Sequence, residues 1–243
     1  MREALIGHID IAAAVDGLRR LNVNYDEADA PLPHQPGNWH VDNPHTLIGH
    51  EPAGAPVPGG AWEIACGLVR AYEFSDPDIV RAVYRPSEEL LGRNMLLEGR
   101  FLALRFYLGV RVTEVVDETR DGQRVWGWGY QTLEGHLEQG KLIYDVVKDF
   151  RSGEVKLQIR AYSRRAPIQN PIVRLGFAMF GRRTQLRFYA AVGQRLRNTV
   201  QEILRGAQPP TPALTGDGLV IAPSGVHHHP LERFTLHSHH PGG

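Results

Sequence analysis

Residues Arg124 to Arg165, RVWGWGYQTLEGHLEQGKLIYDVVKDFRSGEVKLQIRAYSRR, read as three strands joined by two turns. Side chains alternate across a strand with period two. In the first run, Val125 to Leu133, this puts Trp126, Trp128, Tyr130 and Thr132 on one face and Gly127, Gly129 and Gln131 on the other. Glycine inside a strand marks a bulge, a bend or the close approach of another body. The second run, Lys141 to Phe150, sets Leu142, Tyr144 and Val146 against Ile143, Asp145 and Val147. The third run alternates most cleanly: Val155, Leu157, Ile159 and Ala161 are dry, and Lys156, Gln158, Arg160 and Tyr162 are polar. Loops fall at Glu134–Gly140 and at Arg151-Ser152-Gly153, so the three runs form an antiparallel meander.

Upstream, Met95 to Phe106 and Val110 to Glu118 read as two further strands, with Asp121-Gly122 as a hairpin turn. Trp62 to Phe74 reads as another strand, and Asp78 to Tyr84 as a short helix opened by Ser75-Asp76-Pro77. About six strands are expected in all. Downstream, Asn170-Pro171 opens a helix running to about Leu204, with Tyr189, Val192, Leu196, Val200 and Ile203 as its apolar stripe. Arg182, Arg183, Arg187, Arg195, Arg197 and Arg205 read as its solvated face. The expected fold class is α+β: a meander sheet wrapped on a long C-terminal helix.

Flanking segments differ in composition. Residues 1–21 read as a helical segment capped by Asp10, and residues 22–60 as an irregular, Pro-rich stretch. Residues 61–205 form the expected single α+β domain, and residues 206–243 a disordered tail rich in His, Pro and Gly. The histidines of the Pro-rich stretch match no ligand spacing, so no metal is expected, and no cofactor motif is present. Cys66 alone cannot form an intramolecular disulfide and reads as a buried thiol. Equal numbers of basic and acidic residues, 27 each, argue against a nucleic-acid partner. No stretch reaches membrane-span length and no signal peptide precedes the body, so a cytoplasmic location is expected.

Several motifs in order resemble an uncharacterised family of bacteria and plants, the domain-of-unknown-function family nineteen-ninety. They are Pro58-Gly59-Gly60-Ala61-Trp62-Glu63, Gly92 to Glu98, Gly127 to His136, Arg160-Ala161-Tyr162-Ser163-Arg164 and Gly181-Arg182-Arg183-Thr184-Gln185. The resemblance brings no assigned activity. The order of elements also resembles the helix-grip architecture of START-like lipid carriers and polyketide cyclases, which implies a cavity between sheet and helix.

No residue pattern identifies a reaction. The leading expectation is a small hydrophobic or amphipathic partner bound in that cavity, with Trp126, Trp128, Tyr130, Glu134 and Arg164 as ligand-binding residues. The same aromatics would equally fill a dry core. The alternative is a cyclase- or dehydratase-like enzyme using His136, Glu138, Arg160 and Tyr162 as acid–base residues. A glycine-bounded loop is also an ordinary solvated turn, and a protein-interaction module is a third reading.

Overall fold

The computed structural model describes residues 9–31, 37–101, 104–166, 171–224 and 236–239. Its strands are β1 (His40–Asp42), β2 (His45–His50), β3 (Val80–Tyr84), β4 (Asn94–Phe101), β5 (Leu104–Arg120), β6 (Gln123–Thr132), β7 (Glu138–Asp149), β8 (Glu154–Arg165), β9 (Ala213–Leu214), β10 (Val220–Ala222) and β11 (Leu236–His239). The helices are α1 (Ile11–Gly17), α2 (Ala61–Arg70) and α3 (Pro171–Leu204). Nine strands follow one path, β1-β8-β7-β6-β5-β4-β3-β10-β9, while β2 also pairs with β8, and β11 runs parallel beside β5. The six strands β3 to β8 pair in sequence order and antiparallel, which makes the expected meander the heart of an eleven-stranded sheet. The fold is α+β, a curved antiparallel sheet closed by a long C-terminal helix in helix-grip fashion.

The extra strands come from segments without a local strand signature. Within the Pro-rich stretch, β1 and β2 line up along β8, Asp42 opposite Ala161 and His45 opposite Gln158. Pro44 sits between them and its carbonyl accepts from Ile159 N–H at 2.9 Å. The tail differs from its composition too. Leu219, Val220 and Ala222 are buried, and β10 adds to the edge of β3. An apolar run of four residues suffices where an open strand edge waits for it. The histidines at 227–229 lie outside the described residues.

Two elements exchange identity. The run around Trp62 is α2, not a strand: Ala61, Ala65, Leu68 and Val69 are buried at helical spacing. Its first turn is capped from eleven residues upstream, where Glu51 Oε1 accepts from Trp62 N–H at 2.7 Å. Val80 to Tyr84, expected as helix, is β3, because β4 and β10 pair with it on both sides. The single strand expected over Met95–Phe106 is two, β4 turning into β5 with Gly99 opposite Phe106. α1 follows expectation, with Asp10 Oδ1 accepting from Ala13 N–H at 2.9 Å.

The sheet has a core on each face. On the inner face, Trp126, Trp128, Tyr130, Leu142, Tyr144, Val146 and the dry residues of β8 pack with α2 and with Phe188, Tyr189, Val192, Leu196 and Val200 of α3. On the outer face a smaller core joins Val15 and Leu18 to Val83, Leu96, Tyr107 and Leu133. Glycine permits two close approaches. A Cβ at Gly193 would lie 2.2 Å from Thr46 Oγ1, so its absence lets α3 close onto β2. A Cβ at Gly127 would lie 2.3 Å from the Tyr144 carbonyl, so the body that approaches is the neighbouring strand.

The arginines of α3 are not a uniform solvated face. Arg195 Nε donates to the Glu73 carbonyl at 3.1 Å, Arg197 Nε to the Leu47 carbonyl at 2.6 Å, and Arg182 pairs with Asp42. Cys66 is on α2, and burial pushes its thiol far up. No helix among the described residues is long and apolar enough to cross a membrane.

Candidate functional site

Four tyrosines meet on the inner face, each delivered by a different element. Tyr130 and Tyr144 come from adjacent strands, with ring centroids 6.3 Å apart. Tyr189 comes from α3, and Tyr72 from the turn that ends α2. Tyr144 also packs on Trp128 at 5.5 Å and on Phe74 at 4.6 Å. The hydroxyls of Tyr72, Tyr144 and Tyr189 are buried and have no partner at hydrogen-bond distance, although those of Tyr72 and Tyr144, and of Tyr144 and Tyr130, lie near enough to act on each other. Burial holds all four phenols protonated, far above their ordinary range, and the other phenols or nearby carboxylates add to the effect.

Tyr72 carries a second anomaly. The C-terminus of α2 folds back so that Glu73 N–H reaches the Leu68 carbonyl at 2.9 Å, which requires a left-handed residue between them. Glycine usually fills that place, but here Tyr72 does, at φ 60°. The strain aims a large ring and an unpaired hydroxyl into the inner core, and backbone strain of this kind gathers at functional sites.

One end of this interior is ionic. Glu138, the first residue of β7, lies on the inner face with Leu142 and Tyr144 by strand parity. Loss of hydration pushes its carboxyl up to about 7; the Arg182 guanidinium pulls it down and the Asp42 carboxylate adds to the rise. Arg182 is engaged elsewhere: Nη1 and Nη2 donate to the two Asp42 carboxylate oxygens at 2.5 and 2.6 Å. Nη1 also donates to Gln185 Oε1 at 2.7 Å, and Gln185 Nε2 donates to Ser163 Oγ at 3.1 Å. The Glu138 carboxylate itself has no hydrogen bond or ion pair with any described residue.

The residues expected from the sequence divide between the two faces. Trp126, Trp128, Tyr130 and Glu138 are on the inner face. Trp128 is locked there, its Nε1 donating to the Val69 carbonyl of α2 at 3.0 Å, and Arg70 lies over Trp126. Arg160, Tyr162 and Arg164 are on the outer face. Arg160 Nε donates to Asp145 Oδ2 at 2.8 Å; Tyr162 packs against Tyr25 and Trp39; Arg164 lies over Trp39. Glu134 holds the N-terminal segment, its Oε2 accepting from Asn22 N–H at 3.0 Å. His136 meets Glu138 through the backbone, with Nδ1 accepting from Glu138 N–H at 2.9 Å, while the Glu138 side chain faces inward.

Asp42, Tyr72, Tyr144, Ser163, Arg182, Gln185 and Tyr189 complete the site without having been singled out for it. Some signals existed: Ser163 continues the dry parity of β8, and Arg182 and Gln185 are three apart on one helix. Asp42 had none. No group of three or more potential metal ligands occurs among the described residues.

The sequence matches the model of a family described as a domain of unknown function (DUF1990) over residues 24–195, and the chain belongs to that family. Tyr130, Glu138, Ser163, Arg182 and Gln185 all fall within the matched span. No curated protein matches the chain. Among solved structures it is similar to norcoclaurine synthase from Thalictrum flavum, determined in complex with dopamine and hydroxybenzaldehyde. The identity is 10% and the TM-score 0.41, covering 70% of this chain and 91% of that one. It is also similar to the major latex-like protein 151 of Panax ginseng, at 12% identity and a TM-score of 0.40, covering 67% and 97%. At these scores the likenesses carry nothing about the site.

Proposed function

We propose that the chain binds a small amphipathic molecule between the inner face of the sheet and α3. The observation that supports this is the set of three buried phenol hydroxyls, of Tyr72, Tyr144 and Tyr189, with no protein partner at hydrogen-bond distance. Leaving one such group unsatisfied costs about 1–3 kcal/mol, and native structures rarely leave several together without water or a ligand to meet them. The aromatic walls of Phe74, Trp128 and Phe188 suit an apolar body, and the hydroxyls suit its polar groups.

The test is native mass spectrometry of the gently purified full chain, followed by solvent extraction. The expected result is a retained molecule near one-to-one occupancy that Tyr144→Phe and Tyr189→Phe deplete. A chain that carries nothing, and that no amphipathic probe stabilises against heat, overturns the reading.

A second reading, acid–base catalysis on the bound molecule, is favoured by Glu138 alone. A carboxyl raised to about 7 exchanges protons at neutral pH, as a general acid or base must. Incubating the extracted molecule with the chain and with Glu138→Gln tests it. Conversion by the wild type that falls on the order of a hundredfold in the variant supports catalysis, and conversion by neither removes it.

A further inference from the structure

The charges at the ionic end specify the ligand more closely, on the reading that the interior holds one. Asp42 and Arg182 cancel each other through two short hydrogen bonds, and the remaining reach of Arg182 Nη1 goes to Gln185. Among the described residues the other cation at this end is Arg165, opposite Glu138 on β8 and exposed. An anionic head inside would thus meet a spent Arg182 and the Asp42 and Glu138 carboxylates. Glu138 is the opposite case, a carboxylate set on the inner face that forms no ion pair or hydrogen bond with a described residue. Beside it, Tyr189 is 5% exposed and its hydroxyl has no partner. The phenols of both Tyr130 and Tyr189 lie close enough to Glu138 for its charge to raise them. An N–H donor placed here would find a carboxylate and a phenol oxygen as acceptors, with aromatic rings to shield its charge.

We propose that the bound molecule carries a cationic nitrogen, an ammonium or amidinium, seated on the Glu138 carboxylate beside the phenols of Tyr130 and Tyr189. Its apolar body runs inward toward Trp128, Tyr144 and Phe74. The ligand class is an amphipathic amine, and its charge supplies the partner that Glu138 lacks.

The experiment titrates the full chain with three probes of one skeleton, phenylbutylamine, phenylbutanol and phenylbutyrate, by calorimetry. At about pH 8 the amine should bind on the order of tenfold tighter than the alcohol, with the carboxylate weakest, and Glu138→Gln should erase the preference. The groups facing Glu138 are Asp42 on β1, Tyr130 on β6, Arg165 opposite it on β8, and Arg182 and Tyr189 on α3, with His136 in the preceding turn. The amine drives the proton off Glu138, so its affinity should rise with pH through neutrality. An affinity that falls instead means that a protonated Glu138 donates to a neutral acceptor, which overturns the proposal. Alcohol or carboxylate binding as tightly as the amine overturns it too and leaves the ligand-binding reading standing. Binding of none of the three overturns the amine proposal, and it overturns the ligand-binding reading as well when the gently purified chain also carries nothing.

Discussion

The two ends of β7 each place one ionisable side chain on the inner face, Glu138 at one end and Lys148 at the other, on the order of 33 Å apart along the strand. Lys148 is sealed. Its ammonium is wholly buried, donating to Glu51 Oε2 at 2.7 Å and to the Pro52 carbonyl at 2.9 Å. Burial alone would raise the Glu51 carboxyl, but Lys148 and the amides of Trp62 and Val57 outweigh it and hold it below its ordinary value. Glu138 has the burial without the partners, and it rises. The same desolvation thus gives opposite outcomes, decided by whether hydrogen bonds and a counter-charge answer it. A buried ion met by a counter-charge and a carbonyl joins segments together, here the Pro-rich stretch, α2 and the sheet. A carboxylate left unanswered is available to something outside the chain.

The comparison breaks most plainly at the sealed end. Lys148→Ala strands Glu51 in the core and should cost about 3–5 kcal/mol in denaturant unfolding at neutral pH. Glu51→Gln combined with Lys148→Met should recover most of that, since a buried pair is worth little over a packed neutral replacement. The Glu51 carboxyl is lowered on folding, so its stabilisation is present above the ordinary carboxylate range. It is lost as pH falls through the depressed value, and wild type and Lys148→Ala should converge in acid. A loss under about 1 kcal/mol at neutral pH would mean that water reaches this end and that the two ends are alike.

Glu138→Gln sharpens the other end with the opposite sign. The folded state raises this carboxyl from 4.5 to about 7, so it binds the proton more tightly than the unfolded chain does. Stability therefore falls as pH rises between those values, and the variant is spared that fall. At about pH 8 Glu138→Gln should be more stable by at most about 3 kcal/mol, and by less than that because the side chain is only half-buried. Below about pH 4 the two should melt together. A variant no more stable than wild type at alkaline pH would show that Glu138 already has a partner.

How much of this could be read from the sequence depends on how local each cause is. The meander and α3 show in period-two and helical patterns, because each strand or turn states its own dry face. α2 and β3 do not, because what decides them lies far along the chain: the Glu51 cap for one, pairing with β4 and β10 for the other. The site divides in the same way. Tyr130 and Glu138 stand on strands whose parity is visible, and the alternation of β8 already set Arg160 and Tyr162 opposite its dry residues. Asp42 reaches the ionic end only through the pairing of β1 with β8, and Tyr72 through a left-handed turn that its residue type does not announce.

The smallest expected effect bears on the phenols between the two ends. Tyr84 and Tyr144 are both buried tyrosines of the inner core, but the Tyr84 hydroxyl donates to the Ala71 carbonyl at 3.0 Å, and the Tyr144 hydroxyl, near other phenols, has no acceptor at hydrogen-bond distance. Tyr84→Phe leaves an acceptor stranded and should lose about 1 kcal/mol, whereas Tyr144→Phe removes a stranded group and should be neutral or gain about 1 kcal/mol. Thermal melts of the ligand-stripped chain compare them directly, with Tyr189→Phe expected to follow Tyr144→Phe. Equal losses for Tyr84→Phe and Tyr144→Phe would mean that water already satisfies the interior phenols. The hydroxyls would then be part of a finished core, and the main support for a bound molecule would be gone.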